Sequence, residues 1–526
     1  MRVCQGEVIF MKLDRTENTK RNILWGTLNK AITLLLPFIT RIVMNRTLGA
    51  EYLGLNSLFR SILDVLNLSE LGFSSAIVYC MYEPIAKNDS DAICALLNAY
   101  RKLYKIVGAA ILGIGCALLP VLPRLVHGSI PRDVNLYVVY LIYLLNTAVS
   151  YLLFAYKQAL PNAFQRVDII SNITTITTGG MYCIQIVILM NVRKYYPYLI
   201  LLPVSTVINN IITSLYVDRT YPEYRCRGEI SQAMKAEIKE KVTGLFITRI
   251  CQTTRNSLDS ICTSAFLGLV VTAMYNNYYY ILYAMTGIFG VIIQSMTAGV
   301  GNSIVVESRE KNYNDLKKIN FIFMWISGWA TICMLVLYQP FIRIFYGEKY
   351  LFPESVVIEF CLYFYMLRMG DIRALYSDAA GLWWENRYRA IAESLTNIVL
   401  NIILGRMFGV HGIIIATLIS LFVINFLLGS QIVFKHYFQN GKLAEYFQLH
   451  GFYLIVSALV ALVTVWLCSL FSFGDGPDLL VKLIVACIVP NLLYYLIYRK
   501  TAIYRLAMPW ILHKYNLDRK FRFLLK

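Results

Sequence analysis

Hydrophobic and polar positions alternate along this chain on the scale of whole helices. Apolar runs of about 20 residues recur from end to end, each long enough to cross a bilayer as an α-helix. Hydropathy predicts about fourteen spans, at approximately 22–44, 54–81, 103–122, 136–156, 168–190, 197–217, 243–267, 273–304, 319–338, 354–376, 390–408, 411–434, 450–471 and 479–498. The predicted fold class is an all-α integral membrane protein. Some spans nearly touch, as at Gly409 and Gly412, where small residues permit a tight turn.

Several spans are not apolar all round. The stretch Arg41–Tyr79 closes one helix, turns at Leu48-Gly49-Ala50 and opens a second helix near Gly54. In that second helix Asn56, Arg60, Asp64, Asn67 and Glu70 fall within a sector of roughly 120°. The first span carries Lys30, Thr33 and Arg41 on one face, with Pro37 predicting a bend. In the seventh, Thr248, Gln252, Arg255, Asp259 and Thr263 share a face, with Arg249 beside them; in the eighth, Asn276, Tyr280 and Tyr283 do. The tenth ends on Arg368, Asp371 and Arg373. Helices of this kind face a polar interior.

Of 526 residues, 58% are hydrophobic and 15% charged, about half the charge a soluble chain of this size carries. The net charge of +18 follows orientation rather than nucleic acid. With both termini cytoplasmic, about 33 Lys and Arg lie in inside segments against about 8 outside. The segments read as a cytoplasmic N-terminal stretch at 1–21, a six-helix bundle at 22–218, a basic cytoplasmic linker at 219–242, and a second six-helix bundle at 243–434. Two additional helices at 450–498 and a basic cytoplasmic tail at 499–526 complete the chain. A shift of about 219 residues lays Leu48-Gly49 on Leu267-Gly268 and Lys30 on Arg249, and one further residue lays Asn56 on Asn276, so the bundles read as parallel repeats. The twelve cysteines form no C-x-x-C pair and the histidines share no ligand spacing, so no metal cofactor is expected.

An Arg or Lys facing lipid at mid-bilayer costs about 2.5–3.5 kcal/mol on insertion scales. Lys30, Arg60, Arg249 and Arg255 are therefore predicted to line a cationic cavity that binds substrate, together with Asn56 and Asn276. Asp64 and Asp259 read either as H+ or Na+ coupling sites or as partners of Arg60 and Arg255 at i,i+4 spacing.

The motifs R-T-L-G-A-E-Y-L-G-L-N-S-L-F, L-S-E-L-G-F-S-S-A-I-V-Y and M-Y-E-P-I-A-K-N-D resemble those of the bacterial polysaccharide-biosynthesis flippases. A-L-L-N-A-Y-R-K-L-Y and F-L-G-L-V-V-T-A-M-Y-N-N-Y-Y-Y-I-L extend the resemblance into the second half. These flippases share a superfamily with multidrug and toxin extruders and lipid II flippases. The resemblance implies a MATE-like fold and no enzymatic activity. It implies as cargo an undecaprenyl-pyrophosphate-linked oligosaccharide of the O-antigen or capsule type, carried from inner to outer leaflet of the bacterial cytoplasmic membrane by alternating access. Polymerase and other polysaccharide-assembly proteins are the partners it implies. A drug or cation antiporter of the same superfamily is the alternative. A membrane polymerase is disfavoured, because the outside loops are short and hold no paired carboxylates. The stretch beginning at Met11 resembles the usual family opening more than residues 1–10 do, so Met11 is the alternative start.

Overall fold

The computed structural model describes residues 32–66, 87–126, 130–164, 166–230, 257–439, 441–470 and 474–514, with scattered positions at 77–78, 80–81, 84–85, 232, 235, 251 and 253. Among them every regular element is a helix. We number the principal ones α1 (32–47), α2 (Ala50–Leu66), α3 (Ser90–Ala117), α4 (Leu136–Leu152), α5 (Val167–Asn191) and α6 (Tyr195–Thr220). There follow α7 (257–267), α8 (Leu269–Val306), α9 (Arg309–Tyr346), α10 (Glu354–Met369), α11 (Asp371–Ala379) and α12 (Trp383–Phe408). The last are α13, which starts at Val410–Ile419, α14 (Leu443–Ser469), α15 (Asp475–Tyr498) and α16 (Ala502–Lys514).

The protein is a multi-pass, all-α membrane protein. Among the described residues eight helices are long and apolar enough to cross a bilayer, or nine if the bent pair Leu136–Leu152 and Ala155–Ala163 is one span. The expected spans at 22–44, 54–81 and 243–267 fall partly outside the described residues. Large apolar side chains stay on the outer faces, as a lipid solvent permits: Val204, Ile208 and Leu215 on α6, Ile484, Ile488 and Leu492 on α15.

Contacts divide the chain into two compact units. The first takes the described residues of Met1–Leu48, Leu66–Leu122 and Arg132–Thr243; the second takes Gly49–Val65, Pro123–Pro131 and Gly244–Lys526. In the first unit, hydroxyls and amides fasten apolar helices to one another. Thr177 on α5 donates to Asn209 Oδ1 on α6 at 3.0 Å, and Thr206 on α6 donates to Asn146 Oδ1 on α4 at 2.7 Å. Such interhelical hydrogen bonds hold spans together where lipid supplies no hydrophobic drive.

The second unit is built on aromatic rings and close backbone contact. Tyr275, Tyr278, Tyr313, Tyr338, Tyr363 and Tyr365 are all fully buried. The turns into α2 and α8 are made by Gly49 (φ +114°) and Gly268 (φ +87°), in the left-handed region that favours glycine. They are the two glycines that the 219-residue shift superposes. Gly54 on α2 lies so near α8 that a Cβ there would sit 2.2 Å from the carbonyl oxygen of Leu269. The additional helices α14 and α15 pack onto α9: Trp325 Nε1 donates to Asn491 Oδ1 at 3.0 Å, and Tyr494 donates to Ser457 Oγ at 2.9 Å. Gly328 on α9 makes room for that tyrosine, since a Cβ would lie 2.4 Å from its hydroxyl.

Candidate functional site

Two polar networks lie inside the second unit. One surrounds Asp259, which sits on α7 with no exposed surface. Asn401 on α12 donates its amide to Oδ1 at 2.8 Å. Thr417 on α13 donates to Oδ2 at 3.0 Å, and the phenol of Tyr275 on α8 donates to the same oxygen at 3.0 Å. A second tier braces the first, with Asn397 Nδ2 at 2.9 Å from Thr417 Oγ1 and Asn401 Nδ2 at 3.1 Å from Asn397 Oδ1. Asn401 Oδ1 is buried and has no hydrogen-bond partner among the described residues. A buried carboxyl group needs hydrogen-bond partners to offset its lost hydration. The fold supplies them from three helices. Asp259, Asn397, Asn401 and Thr417 thus form one connected buried hydrogen-bond network.

Asn276, the residue after Tyr275, is half-buried against the same place. Its Nδ2 donates to Ser260 Oγ at 2.7 Å and to the Thr272 carbonyl at 2.8 Å, tying α8 to α7.

The second network lines a cavity of about 420 Å3. Tyr279 and Tyr283 come from α8, Arg368 from α10, Arg373 from α11, and Arg389 and Glu393 from α12. Arg389 Nη1 donates to Glu393 Oε2 at 2.7 Å and its Nε to Asn386 Oδ1 at 3.0 Å. Asn425 bridges the charges, giving its amide hydrogen to Glu393 Oε2 at 2.9 Å and accepting from Arg373 Nη2 at 3.0 Å. Arg368 Nη1 lies 2.7 Å from Asp371 Oδ2, near enough for an ion pair though not aligned as a hydrogen bond. Arg373 is threaded between two glycines: a Cβ on Gly429 would sit 2.1 Å from its Nη1, and one on Gly370 3.0 Å from its Nη2. Asp371, Asp378 and Glu393 also line the cavity, so three arginines face three carboxylates. The cavity is rich in charge and hydrogen bonds of both signs, with tyrosine rings on one wall.

The two networks share α12. Arg389, Glu393, Asn397 and Asn401 stand four residues apart, and Glu393 in the cavity is one turn, about 6 Å, from Asn397 beside Asp259. On α8, Tyr275 stacks on Tyr279 with ring centroids 6.1 Å apart, making the same link from the other side.

The sequence profile of the polysaccharide biosynthesis protein family matches residues 19–298, just over half of the chain. The chain belongs to that family. No curated protein matches it. Among solved structures it is similar to a lipid II flippase MurJ in an inward closed conformation, with TM-score 0.67 and 15% identity over 91% of this chain and 99% of that one. An inward-facing multidrug resistance MATE family transporter of the MOP superfamily gives TM-score 0.60 and 13% identity over 78% and 96%. A MOP superfamily transporter from Pyrococcus furiosus, reported with a binding pocket of reverse polarity, gives 0.52 and 14% over 80% and 96%. These likenesses give the chain the MurJ/MATE fold, and the proteins of its family and fold are transporters and flippases rather than catalytic enzymes.

Of the residues singled out from sequence, Asp259 and Asn276 come together. Asn56, Arg60 and Asp64 lie along α2, with Asn56 half-buried and the two charged side chains exposed. Lys30, Arg249 and Arg255 lie outside the described residues. Sequence reasoning missed Tyr275, Asn397, Asn401 and Thr417 around Asp259, and Arg389, Glu393 and Asn425 around the cavity. The four-residue spacing from Arg389 to Asn401 was the available signal, being the same kind of stripe that marks α2.

Proposed function

We propose that this protein is a flippase for undecaprenyl-pyrophosphate-linked oligosaccharide, moving repeat units from the inner to the outer leaflet of the bacterial cytoplasmic membrane for a surface polysaccharide of the O-antigen or capsule type. The observation that carries the reading is the arginine–carboxylate cavity of the second unit. Arg368 and Arg373 are buried, and Arg389 lies in a helix long and apolar enough to cross a bilayer, an expense of several kcal/mol that neighbouring carboxylates offset only in part. A cavity that alternates guanidinium, carboxylate, carboxamide and phenol matches a glycan, whose hydroxyls both donate and accept. The arginines also supply the planar forks suited to phosphate oxygens. Family membership and a fold shared with a lipid II flippase support the same class of cargo.

In this reading the two six-helix bundles, with both termini cytoplasmic, alternate access around the cargo. Lys30, Arg60, Arg249 and Arg255, with Asn56 and Asn276, form the cationic lining. Asp259 takes the coupling H+ or Na+, held with the oxygens of Asn397, Asn401 and Thr417, and the buried oxygen of Asn401, which has no partner among the described residues, supports that assignment. Asp64 is the second candidate. Polymerase and other assembly proteins take the flipped unit.

The test is where lipid-linked repeat units accumulate when cells are depleted of the protein. Units trapped on the cytoplasmic leaflet are expected, and re-expression of a Lys30→Ala, Arg60→Ala or Arg255→Ala variant should fail to release them although the protein inserts. Normal translocation combined with altered resistance to cationic drugs would instead assign the chain to the antiporter branch, whose MATE fold it shares.

A further inference from the structure

The first unit holds a polar cavity of its own, about 440 Å3, to which the transport reading gives no task. It lies near the start of α3 and the end of α6, the end that the Lys/Arg count assigns to the cytoplasm. The chain leaving α6 is strapped down there. Asn98 Nδ2 on α3 donates to the Gly228 carbonyl at 2.8 Å, Arg227 Nη2 reaches Asp91 Oδ1 at 3.2 Å, and Phe164 stacks on Tyr221 with centroids 5.0 Å apart. The strap runs beside Arg101 and Lys157 and adds the exposed Arg225 to the wall of an open cleft.

The charge inside is unbalanced. Lys157 donates to both oxygens of Asp218 at 2.6 Å, and Asp218 is the one carboxylate in the lining. Arg101 spends one donor on Asn98 Oδ1 at 3.0 Å, and neither it nor Arg225 makes an ion pair among the described residues. Two positive charges are therefore left facing a cleft that also presents Tyr156 and Cys226. Burial pushes the Tyr221 phenol up to about 12 and the Cys226 thiol upward, so both stay protonated donors near neutral pH. The cavity also borders the lipid-facing band. Leu215 on α6 is 54% exposed one turn before Asp218, and the 41% exposed ring of Phe154 lies 5.4 Å from the Lys157 ammonium.

We propose that this cavity binds a phosphate group, presented by an anionic phospholipid headgroup at the membrane surface or by a soluble phosphate ester, with Arg101 and Arg225 as its principal ligands. Guanidinium forks are suited to phosphate oxygens, and a site at the edge of the apolar band admits a headgroup while its acyl chains stay in lipid. The inference is independent of what the protein transports.

The experiment uses purified full-length protein, with thermal stabilisation as the readout. Phosphatidylglycerol, phosphatidylcholine and inorganic phosphate are titrated at matched ionic strength. Saturable stabilisation by phosphatidylglycerol or by phosphate is expected. Arg225→Gln should weaken it by about tenfold, the value of one charge-assisted hydrogen bond, and Arg101→Gln with Arg225→Gln should abolish it. Arg505→Gln, a basic residue on α16, should behave as wild type. A response to phosphatidylglycerol alone identifies the lipid as the source, and a response to phosphate as well identifies the soluble ester. Arg225 is exposed and makes no side-chain hydrogen bond or ion pair among the described residues, so Arg225→Glu reads the site if the double variant fails to fold. Equal responses in wild type and Arg225→Glu, or equal responses to the zwitterionic and anionic lipids, would overturn the assignment.

Discussion

The phenol of Tyr275 donates to Asp259 Oδ2 at 3.0 Å while its ring lies stacked on Tyr279, a wall of the arginine cavity. One side chain thus touches both polar networks of the second unit. Tyr275→Phe keeps the stack and deletes the donor. Leaving a buried carboxylate short of one hydrogen bond should lower stability by about 1–3 kcal/mol. Transport by this variant and by Asp259→Asn should also respond differently to imposed H+ and Na+ gradients. Undiminished gradient dependence in both would reduce Asp259 to a packing group.

Arg373 is held in a slot that has no room for a methyl on Gly429. Gly429→Ala should displace the guanidinium from Asn425 and cost about 1–3 kcal/mol. The clash is with the side chain, so it disappears when Arg373 is truncated. In a double-mutant cycle, Gly429→Ala should be close to neutral in the Arg373→Ala background, giving a coupling of at least about 1 kcal/mol. Additive effects on melting temperature would contradict this geometry.

Gly54 meets backbone instead. An added methyl would press on the Leu269 carbonyl, which has no rotamer by which to move away. Gly54→Ala should therefore cost more than about 2 kcal/mol and sharply reduce the yield of folded protein. Gly290→Ala on α8, where a Cβ meets nothing within 4 Å, is the matched control and should be neutral or mildly stabilising. Equal yields of the two variants would show that α2 and α8 are not packed as described.

Burial raises the Cys226 thiol above its ordinary range, only partly opposed by the Tyr156 hydrogen bond and the charges of Arg101 and Lys157. A raised thiol has less thiolate at any given pH. With Cys226 as the sole remaining cysteine, maleimide labelling should be slower at pH 8 than for a free thiol, and its rate should rise over a higher pH interval. A rate profile centred at or below that of free cysteine would mean that the strap over α3 is open in solution.

Much of the architecture was written locally. Runs of apolar residues announced membrane-crossing helices, and Leu48-Gly49-Ala50 announced the turn that Gly49 makes with positive φ. The site was legible in part for a physical reason. Asp259 stands out as a carboxylate in an apolar run, but its donors Asn401 and Thr417 are 142 and 158 residues away, and spacing on one helix says nothing about which helix faces it. Arg373 looked like a span-end charge. Its slot depends on Gly370 and Gly429, which periodicity cannot distinguish from glycines placed for packing. The stripe on α12 obeys the same rule as the one on α2.

That stripe has a thermodynamic corollary. Glu393 and Asn397 are neighbours on one helix, so an occupant of the cavity and an ion taken by the proposed site at Asp259 would act on the same body. If filling one place changes the affinity of the other by some factor, the reverse change is obligatory and equal. Cargo that tightens the ion site must itself be held more tightly once the ion is bound, and a rise of ten in either constant is about 1.4 kcal/mol shared between them. A gradient of the ion would then set how often the loaded cavity is populated on each side of the membrane, with α12 as the shaft through which the two equilibria are geared.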